Sequence, residues 1–347
     1  MRRLRLGISM GEPHGVGPEL ILRSIYENPF LKEIDIVLYG YPNVFSFHHN
    51  HLVKGKKTPW KEIRSIHDIP KNRREHSLYL INTATAKWGY KPGNSDRESA
   101  LEAFSALKTS ASDLIQKNIQ ALVTAPLEKK NVQQIFPDFT GHTGYLSQYF
   151  PQKTTLMFMV HKNLRIALAT EHIPIQKISK SLSAEIFEKK LRTMYESLQK
   201  DFGIPQPKIA ILGLNPHAGE HGLLGKEEQK YLIPVSEQFK VETQGFIRGP
   251  FSADGFFGSA AWKDYDGILS PYHDQGMIPF KLLTQLEGVN YTAGLPVIRT
   301  SPAHGTASSL LGTKKARPEA MKEAIKLALE LVQNRDHPKH KTSDKTI

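Results

Sequence analysis

Three of the fifteen histidines in this 347-residue chain recur in one setting. His172 follows the apolar run Arg165–Ala169 in Ala169-Thr-Glu-His-Ile-Pro. His217 follows Ile209-Ala-Ile-Leu-Gly-Leu in Asn215-Pro-His-Ala-Gly-Glu, and His273 follows Gly267-Ile-Leu in Ser270-Pro-Tyr-His-Asp-Gln-Gly. Each sits just past the carboxyl end of an expected buried strand, the edge where the loops of an open α/β sheet converge on ligands. One such histidine is an ordinary loop residue. Three in matching loops point to neutral imidazoles gathered round a divalent transition metal such as Zn or Co. The chain has no cysteine, which excludes thiolate metal sites, cysteine nucleophiles and disulfides. His48, His49 and His51 fall in an irregular stretch, and His337 and His340 in the tail; these are assigned to solvent.

A second constellation suits anions. Thr140-Gly-His142-Thr143-Gly opens an expected short helix, Tyr145–Phe150, where an imidazole, a hydroxyl and backbone amides could meet a phosphate. Downstream, Lys281 and Arg299 are charge partners for phosphate or carboxylate, and Asn290 adds an oriented amide. The run His304-Gly305-Thr306-Ala307 resembles the nucleotide-binding loop of isocitrate and isopropylmalate dehydrogenases, which hold NAD(P) without the GxGxxG fingerprint, also missing here. Gly305 lets a backbone approach the adenosine moiety, and His304 can stack or hydrogen-bond. Gly11-Glu-Pro-His-Gly-Val-Gly17 has neither Rossmann nor P-loop spacing and is a weak cofactor signal or a tight strand–helix turn.

Positioning these residues calls for an α/β fold. Strands are expected at Arg5–Ile8, Ile34–Tyr39, Ala121–Val123, Thr155–Val160, Arg165–Ala169, Lys208–Leu214 and Gly267–Leu269, alternating with helical patterns as in parallel sheets. Helices are expected over Asp96–Ile119 with Ser95 as N-cap, Ala184–Gln199 and Pro318–Gln333. Residues 41–80 read as an irregular excursion, and 336–347 as a polar, disordered tail.

The composition is that of an ordinary globular protein, with 39% hydrophobic and 23% charged residues. No apolar run spans a membrane. The basic start Met1-Arg-Arg-Leu-Arg-Leu lacks the apolar core of a secretory signal, so a cytoplasmic location is expected. The net charge of +12 permits a nucleic-acid partner. Yet the basic runs, Lys54-Gly-Lys-Lys and Lys71-Asn-Arg-Arg among them, carry no interleaved aromatics, and such a field equally favours phosphates and dinucleotides.

From about Arg5 to Leu331 the chain resembles the 4-hydroxythreonine-4-phosphate dehydrogenase family. The matching runs include Gly11-Glu-Pro…Gly-Val-Gly-Pro-Glu, Thr124-Ala-Pro-Leu-Glu-Lys-Lys, Phe139-Thr-Gly-His-Thr, Leu214-Asn-Pro-His-Ala-Gly-Glu, Gly249-Pro-Phe-Ser-Ala-Asp, Tyr272-His-Asp-Gln-Gly and Gly288-Val-Asn…His-Gly-Thr-Ala. His14 and Gly144-Tyr145 depart from the family's usual residues. The resemblance implies that His172, His217 and His273 bind one divalent metal (Zn, Co or Mg), and that His142, Thr143, Lys281, Asn290 and Arg299 contact a phosphorylated substrate. It implies that His304, Gly305, Thr306 and Ala307 take NAD or NADP, with Asp254, Asp274 and Lys281 near the reacting centre.

The implied fold is two α/β/α lobes with a cleft between them, isocitrate dehydrogenase-like: residues 1–135 plus 282–335 form one lobe and 136–281 the other. The family is a homodimer with its active site at the subunit interface. Its reaction oxidises 4-phosphohydroxy-L-threonine to a β-keto acid that loses CO₂. Dehydrogenases of threonate or erythronate 4-phosphate share these residues. Phosphate acyltransferases share the two-lobed architecture but need no histidine triad.

Overall fold

The computed structural model describes residues 4–28, 34–70, 78–85, 90, 92–93, 95–313 and 315–337. The mixed α/β chain divides into two compact units, Met1–Pro151 with Val297–Leu329, and Gln152–Pro296 with Glu330–Ile347. The expected lobe boundaries fall earlier in the chain. The division found here puts helix His142–Ser147 in the first unit and strand Val289–Ala293 in the second.

The first unit contains strands β1 (Arg5–Ser9), β2 (Asp35–Gly40), β3 (Trp60–Ile63), β4 (Leu78–Asn82), β5 (Ala121–Thr124) and β12 (Ile298–Pro302). They lie in the order β3-β4-β2-β1-β5-β12, all parallel. β2 is buried at all six positions, as parallel strands covered on both faces must be. Helix Arg97–Ile115 packs on β1, β2 and β5. Its buried residues include Ala103, Ala106, Ala111 and Leu114, while Ala100 and Leu107 pack with Val132 and Phe139. Its cap is Asp96 rather than Ser95: Asp96 Oδ1 accepts from Ser99 N at 2.8 Å, and Asp96 N donates back to Ser99 Oγ at 2.9 Å.

The second unit contains β6 (Leu156–His161), β7 (Leu164–Leu168), β8 (Lys208–Leu212), β9 (Phe246–Phe251), β10 (Gly267–Ser270) and β11 (Val289–Ala293), in the order β11-β6-β7-β10-β8-β9. The sheet is not wholly parallel, contrary to the sequence expectation. β6 pairs antiparallel with both β7 and β11. Only Lys162 and Asn163 separate β6 from β7, too few for a crossover, and Lys162 at φ 52 makes the hairpin turn. Helix Ala184–Lys200 forms where expected, and Ser183 Oγ accepts from Ile186 N at its start. The buried Asp201 then accepts from Ser197 Oγ at 2.6 Å, Tyr291 Oη at 2.6 Å and Arg335 Nε at 2.7 Å, tying the C-terminal helix residues to this unit.

Residues 41–80 correct the sequence reading most. They hold helix Pro42–Leu52 with Pro42 in its first turn, then β3, a 3₁₀ turn at Ile66–Asp68 and the start of β4. His48 and His49 are buried rather than solvated, and His49 bonds Tyr26 Oη at 2.7 Å and Lys56 O at 3.0 Å. The helix was illegible because histidines occupy its inward face. Helix Glu319–Asp336 runs through the expected start of the tail; His337 is exposed, while 338–347 and Lys71–Arg74 lie outside the described residues. Among the described residues no helix is long and apolar enough to cross a membrane.

Candidate active site

The topology of the second unit explains why the three histidine loops matter. β10 pairs in parallel with β7 on one side and β8 on the other, so the three carboxyl ends share one sheet edge. In spatial order, those strands lead to His172, His273 and His217. The His172 and His273 rings lie 5.2 Å apart, centroid to centroid. Hydrogen bonds lock the loops to one another. Thr170 donates from N and Oγ1 to Pro271 O at 3.1 and 2.7 Å. Gln275 Nε2 donates to Gly213 O at 2.7 Å, and Gln275 Oε1 accepts from Ser270 Oγ at 2.9 Å.

His273 Nδ1 meets Asp274 Oδ1 at 2.7 Å. A carboxylate only accepts, so Nδ1 donates, and in the neutral ring the lone pair is then on Nε2, the usual support of a metal-bound histidine. The donor chemistry therefore fits a divalent cation. The structure brings two of the three expected ligands together and puts the third on the next strand's loop. Among the described residues no three His, Asp or Glu side chains are gathered closely enough to hold an ion as they stand.

The carboxylates differ in state. Asp254, exposed on helix Ala253–Gly258, is held below the usual carboxylate range by the Ser252 hydroxyl, then by the Gly255 amide and the nearby His217. Asp274 is engaged with His273. Lys281 is exposed on helix His273–Thr284, eight residues beyond His273 and so about 12 Å further along the axis. Asn290 sits on β11 opposite Met159, its Oδ1 enclosed and without a hydrogen-bond partner among the described residues.

The first unit holds the other anion-binding candidates. Arg299, on β12, is buried, and its Nε and Nη2 both donate to Thr124 Oγ1 at 3.0 and 2.6 Å. Burial pushes its guanidinium down to about 9, because the buried site disfavours the charged form. His142 begins the short helix His142–Ser147, three residues before the expected start, after Gly141 at φ 111. Burial, and then the charge of Arg299, hold its imidazole neutral. Its Nε2 is enclosed with no hydrogen-bond partner among the described residues. Thr143 follows within the same helix.

The His304–Ala307 loop lies against the first glycine-rich turn. Thr306 O accepts from Val16 N at 3.0 Å, and a Cβ on Gly15 would come within 3.0 Å of that oxygen. His304 Nδ1 bonds Gly305 O at 2.8 Å, leaving Nε2 enclosed without a described partner. No described residue stands within 4 Å of where a Gly305 Cβ would fall, and Ala307 adopts φ 45. Buried Glu12 braces the neighbouring turn by accepting from His14 N at 3.2 Å and Ser95 Oγ at 2.7 Å. Glu12, Thr124 and Gln275 were not singled out from sequence. Their only signal was a place in the runs that end strands β1, β5 and β10.

Residues 32–328 match the family described as pyridoxal phosphate biosynthetic protein PdxA. A protein from Bacteroides thetaiotaomicron named 4-hydroxythreonine-4-phosphate dehydrogenase is 37% identical over 339 residues, covering 97% of this chain and 91% of that one. The crystal structure of a 4-hydroxythreonine-4-phosphate dehydrogenase from Klebsiella pneumoniae superposes with a TM-score of 0.81 at 30% identity, covering 96% and 99% of the two chains. A terephthalate 1,2-cis-dihydrodiol dehydrogenase from Burkholderia xenovorans shares the fold at 22% identity, with a TM-score of 0.63 over 94% and 98%. The chain belongs to the PdxA family of pyridoxal phosphate biosynthetic proteins.

Proposed function

We propose that the chain is an oxidoreductase that passes hydride from a phosphorylated hydroxy acid to NAD or NADP with the help of a divalent metal. The substrate is 4-phosphohydroxy-L-threonine, the compound in the relatives' names. Oxidation at the carbon β to its carboxylate gives 2-amino-3-oxo acid phosphate, which loses CO₂ to yield 3-amino-2-oxopropyl phosphate. One observation carries the metal part of the reading: three adjacent parallel strands end in His172, His273 and His217, and the first two rings are already 5.2 Å apart.

His172, His217 and His273 would hold the metal (Zn, Co or Mg), which when bound would supply a Lewis acid to lower the substrate hydroxyl's pKa. Asp274 orients His273. Asp254, held ionised, is available to accept a proton but is a weak base. Arg299 and His142, with Thr143, Lys281 and Asn290, bind the phosphorylated substrate and fix its reacting carbon. Residues 304–307 receive the dinucleotide. Ile278, Leu282, Leu283 and Leu286 are exposed along and just beyond helix His273–Thr284; so apolar a surface supports a homodimer.

The test is NADH absorbance on adding 4-phosphohydroxy-L-threonine, with and without chelator, beside erythronate 4-phosphate. Chelator-sensitive turnover of the first substrate is expected. Chelator-insensitive turnover removes the metal, and preference for erythronate 4-phosphate replaces the substrate.

A further inference from the structure

The loop carrying His217 has an unusual backbone. Five consecutive residues, His217 to His221, have φ between 41 and 78. Four of them are not glycine, and in such residues Cβ crowds the following carbonyl oxygen. A run of this kind persists only where its surroundings over-determine it. Bonds that close the turn include Ala218 N to Asn215 O, Leu223 N to Glu220 O and Leu224 N to Gly219 O, all 3.1 Å, and Gln229 Nε2 donates to His221 O at 2.8 Å. The turn folds back on Gly213, where a Cβ would stand 2.7 Å from Ala218 Cα.

Glu228 grips the turn from the far side. It is 1% exposed. Its Oε1 accepts from Asn215 N at 2.7 Å, and its Oε2 accepts from Asn215 Nδ2 at 2.9 Å. The same Oε2 would lie 2.6 Å from a Cβ on Gly219, so the carboxylate touches the turn at its start and its middle. Two donors from one asparagine require two adjacent acceptors, which a carboxylate has and a glutamine amide lacks.

We infer that Glu228 is a positioning residue for the metal centre: through Asn215 and Gly219 it holds the left-handed turn that presents His217. The inference rests on the metal reading above. Among the described residues the three imidazoles do not form a closed metal site, so the backbone of this loop bears on whether the His217 imidazole reaches the ion.

The experiment titrates Co²⁺ into the full-length chain by calorimetry, for the wild type, Glu228→Ala, Glu228→Gln and His217→Ala. The visible spectrum of bound Co²⁺ and the metal-free unfolding midpoint are recorded alongside. Glu228→Ala should weaken Co²⁺ binding roughly 10- to 100-fold and change the spectrum, as loss of a ligand's support does; Glu228→Gln should fall between. His217→Ala should abolish tight binding. Wild-type affinity in Glu228→Ala, with binding lost in His217→Ala, overturns the inference and leaves the metal reading standing. Wild-type affinity in His217→Ala overturns both. Weaker binding with an unchanged spectrum and a lowered midpoint marks a merely structural role and also overturns it. Should Glu228→Ala fail to fold, Asn215→Ala keeps the backbone N–H that bonds Glu228 Oε1 and removes the Nδ2 donor, which Glu227 Oε2 shares at 2.9 Å; it must weaken binding in the same direction, or the inference fails.

Discussion

Arg299 donates from both Nε and Nη2 to a single oxygen, the Thr124 hydroxyl, at 3.0 and 2.6 Å. The two residues project from the neighbouring parallel strands β12 and β5, so the sheet itself aims the guanidinium. Thr124→Val keeps the side-chain shape and removes the acceptor. The loss is about 1–2 kcal/mol, expected as a roughly five- to thirtyfold rise in KM for the phosphorylated substrate, with kcat less affected. Steady-state kinetics check it, and an unchanged KM would separate this pair from substrate binding.

Asp274→Ala removes the carboxylate that keeps the proton on His273 Nδ1. Metal affinity should fall roughly 10- to 100-fold, while dinucleotide affinity stays the same. Asp274→Asn keeps an acceptor oxygen and should lose less. Metal content after dialysis against buffered free Zn²⁺ gives the answer; equal content in all three proteins would reduce the contact to a surface ion pair.

Much of this is legible in the amino-acid sequence. The buried β-branched runs at β1, β2, β5, β8 and β10 mark parallel strands, and His172, His217 and His273 follow three strands that prove to be neighbours. What was hidden has physical reasons. Helix Pro42–Leu52 buries His48 and His49 beside Val44 and Phe45, so its inward face looks polar in sequence. β3 reads Trp60-Lys61-Glu62-Ile63, with two adjacent charges that interrupt any apolar pattern, as edge strands allow. Glu12 and Glu228 are carboxylates wholly buried by partners distant in sequence, and only tertiary structure can reveal that arrangement. The left-handed run at His217–His221 contains one glycine among five residues, too few to announce itself.

Gly305 offers a clean reading of the cofactor loop. No described residue lies within 4 Å of the place its Cβ would take, so Gly305→Ala should leave stability within about 0.5 kcal/mol of wild type. If a dinucleotide backbone fills that space, KM for NAD should rise about tenfold, corresponding to 1.4 kcal/mol. Thermal unfolding and KM for NAD are measured together. An unchanged KM with an unchanged midpoint would move the cofactor away from this loop.

His48 links the overlooked helix to pH. Burial, with the nearby His51 adding to it, pushes its imidazole from 6.5 down to about 4. The folded state therefore holds it neutral while the unfolded chain takes up a proton below 6.5. The associated stability is complete above pH 6.5 and is lost as pH falls toward 4, amounting to about 2 kcal/mol by pH 5. His142 and His304 are lowered for the same reason and add to the loss with the same sign. His48→Gln cannot titrate, so its unfolding midpoint should drop less between pH 7 and pH 5 than that of the wild type. Equal drops in the two proteins would mean that His48 is protonated in the fold, or reached by water, at pH 5.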